Sequence, residues 1–299
     1  METRNAAIVS RRTLLAAGLG AALIPARGFA VGAEPNKIVL QAPGGRTVEV
    51  WHWLPTGKRR GTMTFSHGAA SAPWKYAKLM GPLAAAGYEI FAPLHVDSTD
   101  HPRTKDFPGF ASWKARIEDM RVVSAAISAP RFIAAGHSYG GLMALTQGGA
   151  QAMMPEGLKG AQRDPRVTAV VAFSPPGIMP GLISAEGYAK LAVPALIQTG
   201  DQDVPIGGTD PAGWRAHLAA YEAAAPGGDR YALVLAGVDH YFGGEICRAL
   251  PGPPQSAQLE QASALADLFL QAYFAKDARA RRALDLRLAD TGPVRLARK

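Results

Sequence analysis

Ile133-Ala134-Ala135-Gly136-His137-Ser138-Tyr139-Gly140-Gly141 decides how the rest of the chain is read. The apolar run Arg131 to Ala135 predicts a buried strand, and Leu142-Met143-Ala144-Leu145-Thr146-Gln147 predicts the first turns of a helix. Between them lies Gly136-x-Ser138-x-Gly140, a sharp strand-to-helix turn that lifts one hydroxyl above the sheet. Such a turn strains the backbone at Ser138 and leaves no room for side chains two residues to either side, which accounts for the flanking glycines. A bare Gly/Ser turn without chemistry has the same three letters; the strand before it and the helix after it favour the reactive reading.

Working outward from the turn, strands and helices alternate. Arg46 to Trp53 alternates apolar and polar residues as a half-buried antiparallel strand does, and Thr62 to Ser66 predicts a more central one. Trp74 to Ala86 predicts a helix, Tyr88 to Ala92 a strand, and Ala111 to Ser128 a helix with Ile117, Met120, Val123 and Ile127 on one face. Strands follow at Arg166 to Phe173, Pro194 to Thr199 and Tyr231 to Leu235, with helices over Pro211 to Ala225 and Gln255 to Phe274. This alternation predicts a mostly parallel sheet with helices on both faces, and a ligand site at the carboxyl ends of its strands.

A serine hydroxyl at neutral pH needs a base, and the base needs a carboxylate to orient it. His240 follows the last strand and Asp203 the strand before it, so Ser138, Asp203 and His240 all fall at strand ends. Asp201 stands two residues from Asp203; Gly200-x-x-Asp203 followed by Val204-Pro205 favours Asp203, with Asp201 the alternative. Attack on a carbonyl also needs two backbone N–H groups aimed at the developing oxyanion. Tyr139, after the nucleophile, supplies one, and Ala69 in the small-residue loop His67-Gly68-Ala69-Ala70-Ser71 is the candidate for the other. Trp74, near that loop, and Ile178 and Met179, in the apolar Pro/Gly-rich loop Ser174 to Ile183, are candidate walls of a substrate cleft. His67 and His137 read as loop-positioning residues, and His52 and His217 carry no motif. The loop Leu94 to Pro102 holds two histidines and two aspartates in no familiar ligand spacing, so a solvated loop that walls the pocket is the simpler reading.

The elbow Gly-His-Ser-Tyr-Gly-Gly, the loop His-Gly-Ala, the Gly-x-x-Asp turn and the Gly-x-x-His turn occur in the order Ser…Asp…His. Over residues 37–275 the chain therefore resembles the α/β-hydrolase superfamily, and within it the dienelactone-hydrolase and platelet-activating-factor-acetylhydrolase-like branch, which includes secreted esterases. The resemblance implies the α/β-hydrolase fold and a serine hydrolase that cleaves a small-molecule carboxylic ester of short or medium acyl length through an acyl-enzyme, with no cofactor and no metal. Lactone, amide or polyester hydrolysis on the same fold is an alternative, as is a non-catalytic binding protein, although such domains typically lose a triad member.

The first 33 residues read differently from the rest. Ser10-Arg11-Arg12-Thr13-Leu14-Leu15, a short apolar run and small residues before Ala30 and Ala33 resemble a twin-arginine signal peptide, which implies transient contact with the export machinery and a periplasmic or secreted enzyme. Cys247 is the only cysteine, so no intrachain disulfide forms. The net charge of +8 sits at the ends, +3 in residues 1–30 and +5 in residues 276–299, which leaves a neutral body and argues against a nucleic-acid binder. The domain is thus expected over residues 34–275, with 276–299 a solvated basic tail carrying at most a short surface helix.

Overall fold

The computed structural model describes residues 34–205, 207–227 and 229–299; the expected signal peptide lies outside them. The chain forms a nine-stranded sheet: β1 (Asn36–Ala42), β2 (Arg46–Trp53), β3 (Gly61–Ser66), β4 (Tyr88–Pro93), β5 (Phe132–His137), β6 (Val167–Phe173), β7 (Ala195–Gly200), β8 (Arg230–Leu235) and β9 (Val294–Arg298). Their spatial order is β1-β2-β4-β3-β5-β6-β7-β8-β9. The six strands from β4 to β8 run parallel, and β1, β2 and β9 join antiparallel at the two edges. The central strands are buried on both faces, which is why they read as continuous apolar runs and not as alternating ones.

Helices α1 (Ala77–Ala85), α6 (Ser256–Tyr273) and α7 (Ala278–Asp285) cover one face. The other carries α2 (Ala111–Ala126), α3 (Tyr139–Gln147), α4 (Ala185–Ala189) and the short α5 (Ala219–Ala223). Two expectations are adjusted here. The segment before Ala77 is a 3-10 turn, Pro73–Tyr76, and Pro211 to Ala225 holds a 3-10 stretch, Gly213–Leu218, followed by α5. Among the described residues, no helix is long and apolar enough to cross a membrane.

The larger correction concerns residues 276–299, which are built into the domain. Asp277 caps α7 by accepting hydrogen bonds from the amides of Arg279 and Ala280, and Ala280 and Leu284 enter the core beside α6. β9 pairs with β8 from Tyr231↔Arg298 to Leu235↔Val294 and buries Leu296 completely. Two of the basic residues that make the segment look like a tail lie on this edge and are paired: Arg298 with Asp285 at 2.7 Å and Arg295 with Asp201 at 2.8 Å. Leu284→Ala and Leu296→Ala are each expected to cost about 2–5 kcal/mol in urea unfolding, the range for emptying a packed leucine site. A solvated tail would give changes within about 0.5 kcal/mol.

Candidate active site

β5 ends at His137 and α3 begins at Tyr139, so Ser138 alone makes the turn. Its backbone is left-handed, φ 54° and ψ −123°, a strained conformation for a residue with a side chain. The glycines make the turn possible: a Cβ on Gly140 would lie 1.9 Å from the Ser66 carbonyl oxygen, and one on Gly136 would lie 2.1 Å from that of Gly140. The elbow is thereby pressed against the end of β3, and Ser138 stands half-buried at the floor of a cleft of about 730 Å³.

The acid and the histidine come from the next two strand ends. Gly200 packs so tightly on the loop after β8 that a Cβ there would meet the Val238 carbonyl oxygen at 2.0 Å, and the Gln202 amide donates to that same oxygen at 3.0 Å. This seam brings His240 Nδ1 to 2.7 Å from Asp203 Oδ1, while Asp203 Oδ2 accepts from the Thr199 hydroxyl at 2.7 Å. Asp201 faces the other way, accepting from the Gly237 amide at 2.7 Å and pairing with Arg295 of β9. Asp239 caps the histidine loop by accepting from the amides of Tyr241 and Gly243.

Ser138 and His240 line the same cleft but share no hydrogen bond among the described residues; contacts of this kind commonly close only around substrate. Ala69, Tyr139, Ile178 and Met179 line the cleft as well. Leu182 and Ile183, from the same apolar loop, turn into the core, because Met179 and Ile183 exchange two backbone hydrogen bonds around Gly181. Trp74 does not reach the cleft. Its ring packs on Trp51 with centroids 4.7 Å apart, on the outer side of the 3-10 turn, so nearness in sequence to the small-residue loop misled.

His217 is the residue that the sequence left without a role. It lines the cleft, donates from Nδ1 to the Pro175 carbonyl at 2.7 Å, and places Nε2 3.1 Å from Asp203 Oδ1, out of line for a hydrogen bond. Two imidazoles therefore flank one carboxylate. Burial pushes the Asp203 carboxyl up, but the close approach of the His217 and His240 imidazoles outweighs it and holds the group well below the usual carboxylate range. Burial pulls His217 down, and Asp203 more than offsets this, so His217 is raised. For His240, burial with the help of His137 and His217 wins over Asp203, and the ring is lowered. No sequence signal marks His217; only its place after β7, facing the strand ends, would have pointed to it.

His137 does position loops. Burial lowers it to about 4, so it is neutral; Nε2 donates to the His240 carbonyl at 2.8 Å and Nδ1 accepts from the Tyr76 hydroxyl at 2.9 Å. That hydroxyl accepts in turn from the Gly68 amide, so one chain of bonds links the small-residue loop, the elbow and the histidine loop. His67 plays a similar part, donating from Nδ1 to the Gly68 carbonyl at 2.7 Å. The loop from Leu94 is not solvated as expected: His95 is fully buried, and Asp97 pairs with Arg116 while lining the cleft. Behind it Ser66, His95 and Asp119 repeat a serine–histidine–aspartate relay at 2.9 and 2.7 Å. All three are sealed in the interior, where no substrate reaches them.

Among the described residues, Asp203, His217 and His240 are the one group with metal-ligand chemistry, their ligand atoms lying within 4.8 Å of one another. The Asp203–His240 contact is a hydrogen bond through a proton on Nδ1, and His217 faces the same carboxylate oxygen.

Known proteins share this fold. No curated protein matches the sequence. Among solved structures, an esterase from the planctomycete Thermogutta terrifontis superposes with a TM-score of 0.56 at 15% identity, over 80% of this chain and 92% of that one. A dienelactone hydrolase from Anabaena variabilis gives 0.52 at 16% identity, over 81% and 99%. A puromycin-hydrolyzing peptidase from Mycobacterium tuberculosis gives 0.52 at 15% identity over 81% of this chain, which spans only 40% of that longer protein. At these identities the likeness is one of fold. The sequence itself matches the Alpha/beta hydrolase family over residues 65–296, which takes in the elbow, both flanking turns and most of β9; the chain belongs to the alpha/beta hydrolase family.

Proposed function

We propose that this protein is a serine hydrolase that cleaves carboxylic esters of short or medium acyl length through an acyl-enzyme. One observation carries the reading: His240 Nδ1 lies 2.7 Å from a buried, ionised Asp203 in the same cleft as a serine held at a strained elbow. In this scheme Ser138 Oγ attacks the ester carbonyl as His240 Nε2 takes its proton. Asp203 holds the ring in the Nδ1–H tautomer and stabilises the imidazolium. The amides of Tyr139 and Ala69 receive the oxyanion. His240 then returns the proton to the leaving alcohol, and water repeats the sequence on the acyl-enzyme.

The cleft walls favour a compact apolar acyl group. Phe107, Phe110, Pro176, Ile178 and Met179 line the cleft that holds Ser138, and Ile178 is 58% exposed. Activity on p-nitrophenyl esters should peak at short acyl chains, and a maximum on emulsified long-chain lipid would refute that assignment. The same assay reads the base. His240 acts only when neutral, and its affinity for protons is lowered by burial and by His137 and His217 against the pull of Asp203. The acid limb of kcat/KM should therefore have its midpoint below about 6.5, the ordinary imidazole value. A midpoint above that value would mean that Asp203 dominates.

A further inference from the structure

Arg116 lies in the middle of α2, belongs to no motif and is completely buried at the back of the small-residue loop. All five of its N–H groups are used. Nε and Nη2 grip the two oxygens of Asp97 at 2.8 and 2.9 Å. Nη1 donates to the Ser66 hydroxyl at 3.1 Å and to the His67 carbonyl at 2.7 Å, and Nη2 donates to the Gly68 carbonyl at 3.3 Å. The guanidinium also lies over the Tyr139 ring, 4.7 Å from its centre. A buried ion pair alone is weak support for a fold, since apolar residues of similar volume commonly serve as well. What no apolar residue can supply is a rigid fork that bonds two successive carbonyls and a carboxylate at once.

Those carbonyls set the direction of an amide. In a trans peptide the C=O and N–H lie in one plane and point in opposite directions across the C–N bond. With the Gly68 oxygen held by Arg116 and by His67 Nδ1, the Gly68–Ala69 peptide cannot rotate, and the Ala69 N–H is turned away from Arg116. Ala69 and Tyr139 both line the cleft beside Ser138, and Arg116 touches the peptide of one and the ring of the other. We infer that Arg116 is the positioning residue that aims the oxyanion-binding amides, with Asp97 fixing the orientation of its fork. The inference rests on the ester-hydrolase reading above.

Arg116→Lys keeps the charge and loses the fork. The test compares it with the parent protein in three measurements: the rate of Ser138 labelling by a fluorophosphonate, the inhibition constant of phenylboronic acid, and the urea unfolding midpoint. The first two depend on a negatively charged tetrahedral centre at Ser138. Loss of one aligned donor should slow labelling by roughly 10²–10³ and weaken the boronic acid in parallel, in a protein that still unfolds cooperatively. A folded lysine variant that stays within about threefold of the parent in both would overturn the inference, because a purely structural role moves neither. If the lysine variant does not fold, Asp97→Asn decides: it leaves the carbonyl bonds but unlocks the fork, and should slow labelling by about tenfold, on the order of one weakened charged hydrogen bond. Parent-like labelling in that variant would also overturn the inference. A parent protein that takes no label at Ser138 would instead remove the ester-hydrolase reading itself, so the two failures are distinct.

Discussion

Ser138→Ala is expected to abolish ester hydrolysis and fluorophosphonate labelling while leaving the fold intact. The loss should be about 10⁴–10⁶ in kcat, because removing the nucleophile disables the whole relay at once. The fold should persist because, among the described residues, no hydrogen bond to the Ser138 hydroxyl is broken, and alanine fits wherever serine fits. The left-handed backbone is equally strained for both residues, so that cost cancels. A small rate above that of water should remain, since the Tyr139 and Ala69 amides still favour negative charge at the carbonyl oxygen. Circular dichroism and an ester assay on one preparation separate loss of chemistry from loss of structure. Full turnover in a folded alanine variant would show that the elbow is only a turn.

Asp203→Asn should be nearly as damaging, about 10⁴ in kcat, and for a different reason. Asparagine presents either a neutral carbonyl or an NH₂ group to His240 Nδ1. In the second arrangement the ring takes the Nε2–H tautomer, and the nitrogen facing Ser138 is no longer a base. The variant also strips the charge that balances His217, whose Nε2 lies 3.1 Å from the same oxygen. Asp201→Asn should leave turnover within a fewfold of the parent, because that carboxylate serves the Gly237 amide and Arg295 and makes no contact with either imidazole. Kinetics of the two variants side by side check the assignment, and the reverse pattern would make Asp201 the acid.

The parts that could be read from the sequence are those whose physics leaves a residue signature. A strained turn demands glycines at fixed offsets, and buried parallel strands demand unbroken apolar runs. Hence Gly136, Gly140, Ser138 and the central strands were legible, and the order of strand ends carried Asp203 and His240 with them. Other features leave no such mark. β9 buries only Leu296 among arginines, and α7 contributes only Ala280 and Leu284, too few apolar positions to stand out from a basic run. Arg116 sits beside Ile117 on a helix whose polar and apolar residues mix, and nothing in its neighbours tells a solvated arginine from one with five buried bonds. His217 and Trp74 fail in opposite directions, since the first gains its partners only through tertiary contact and the second is carried away from the cleft by the turn it belongs to.

The elbow also bears on how such a chain would change over generations. At positions 136 and 140 any side chain collides with backbone atoms at about 2 Å, so substitution there forces apart the ends of β3 and β5 before chemistry is even in question. At position 138 the backbone accepts alanine with no collision and, among the described residues, no broken hydrogen bond. A lineage released from selection for turnover would thus lose its serine in a single neutral step while purifying selection for solubility still guarded the glycines. Descendants with the glycines intact and the serine gone would be the expected fossils of abandoned catalysis, and the opposite combination should be found rarely, if at all.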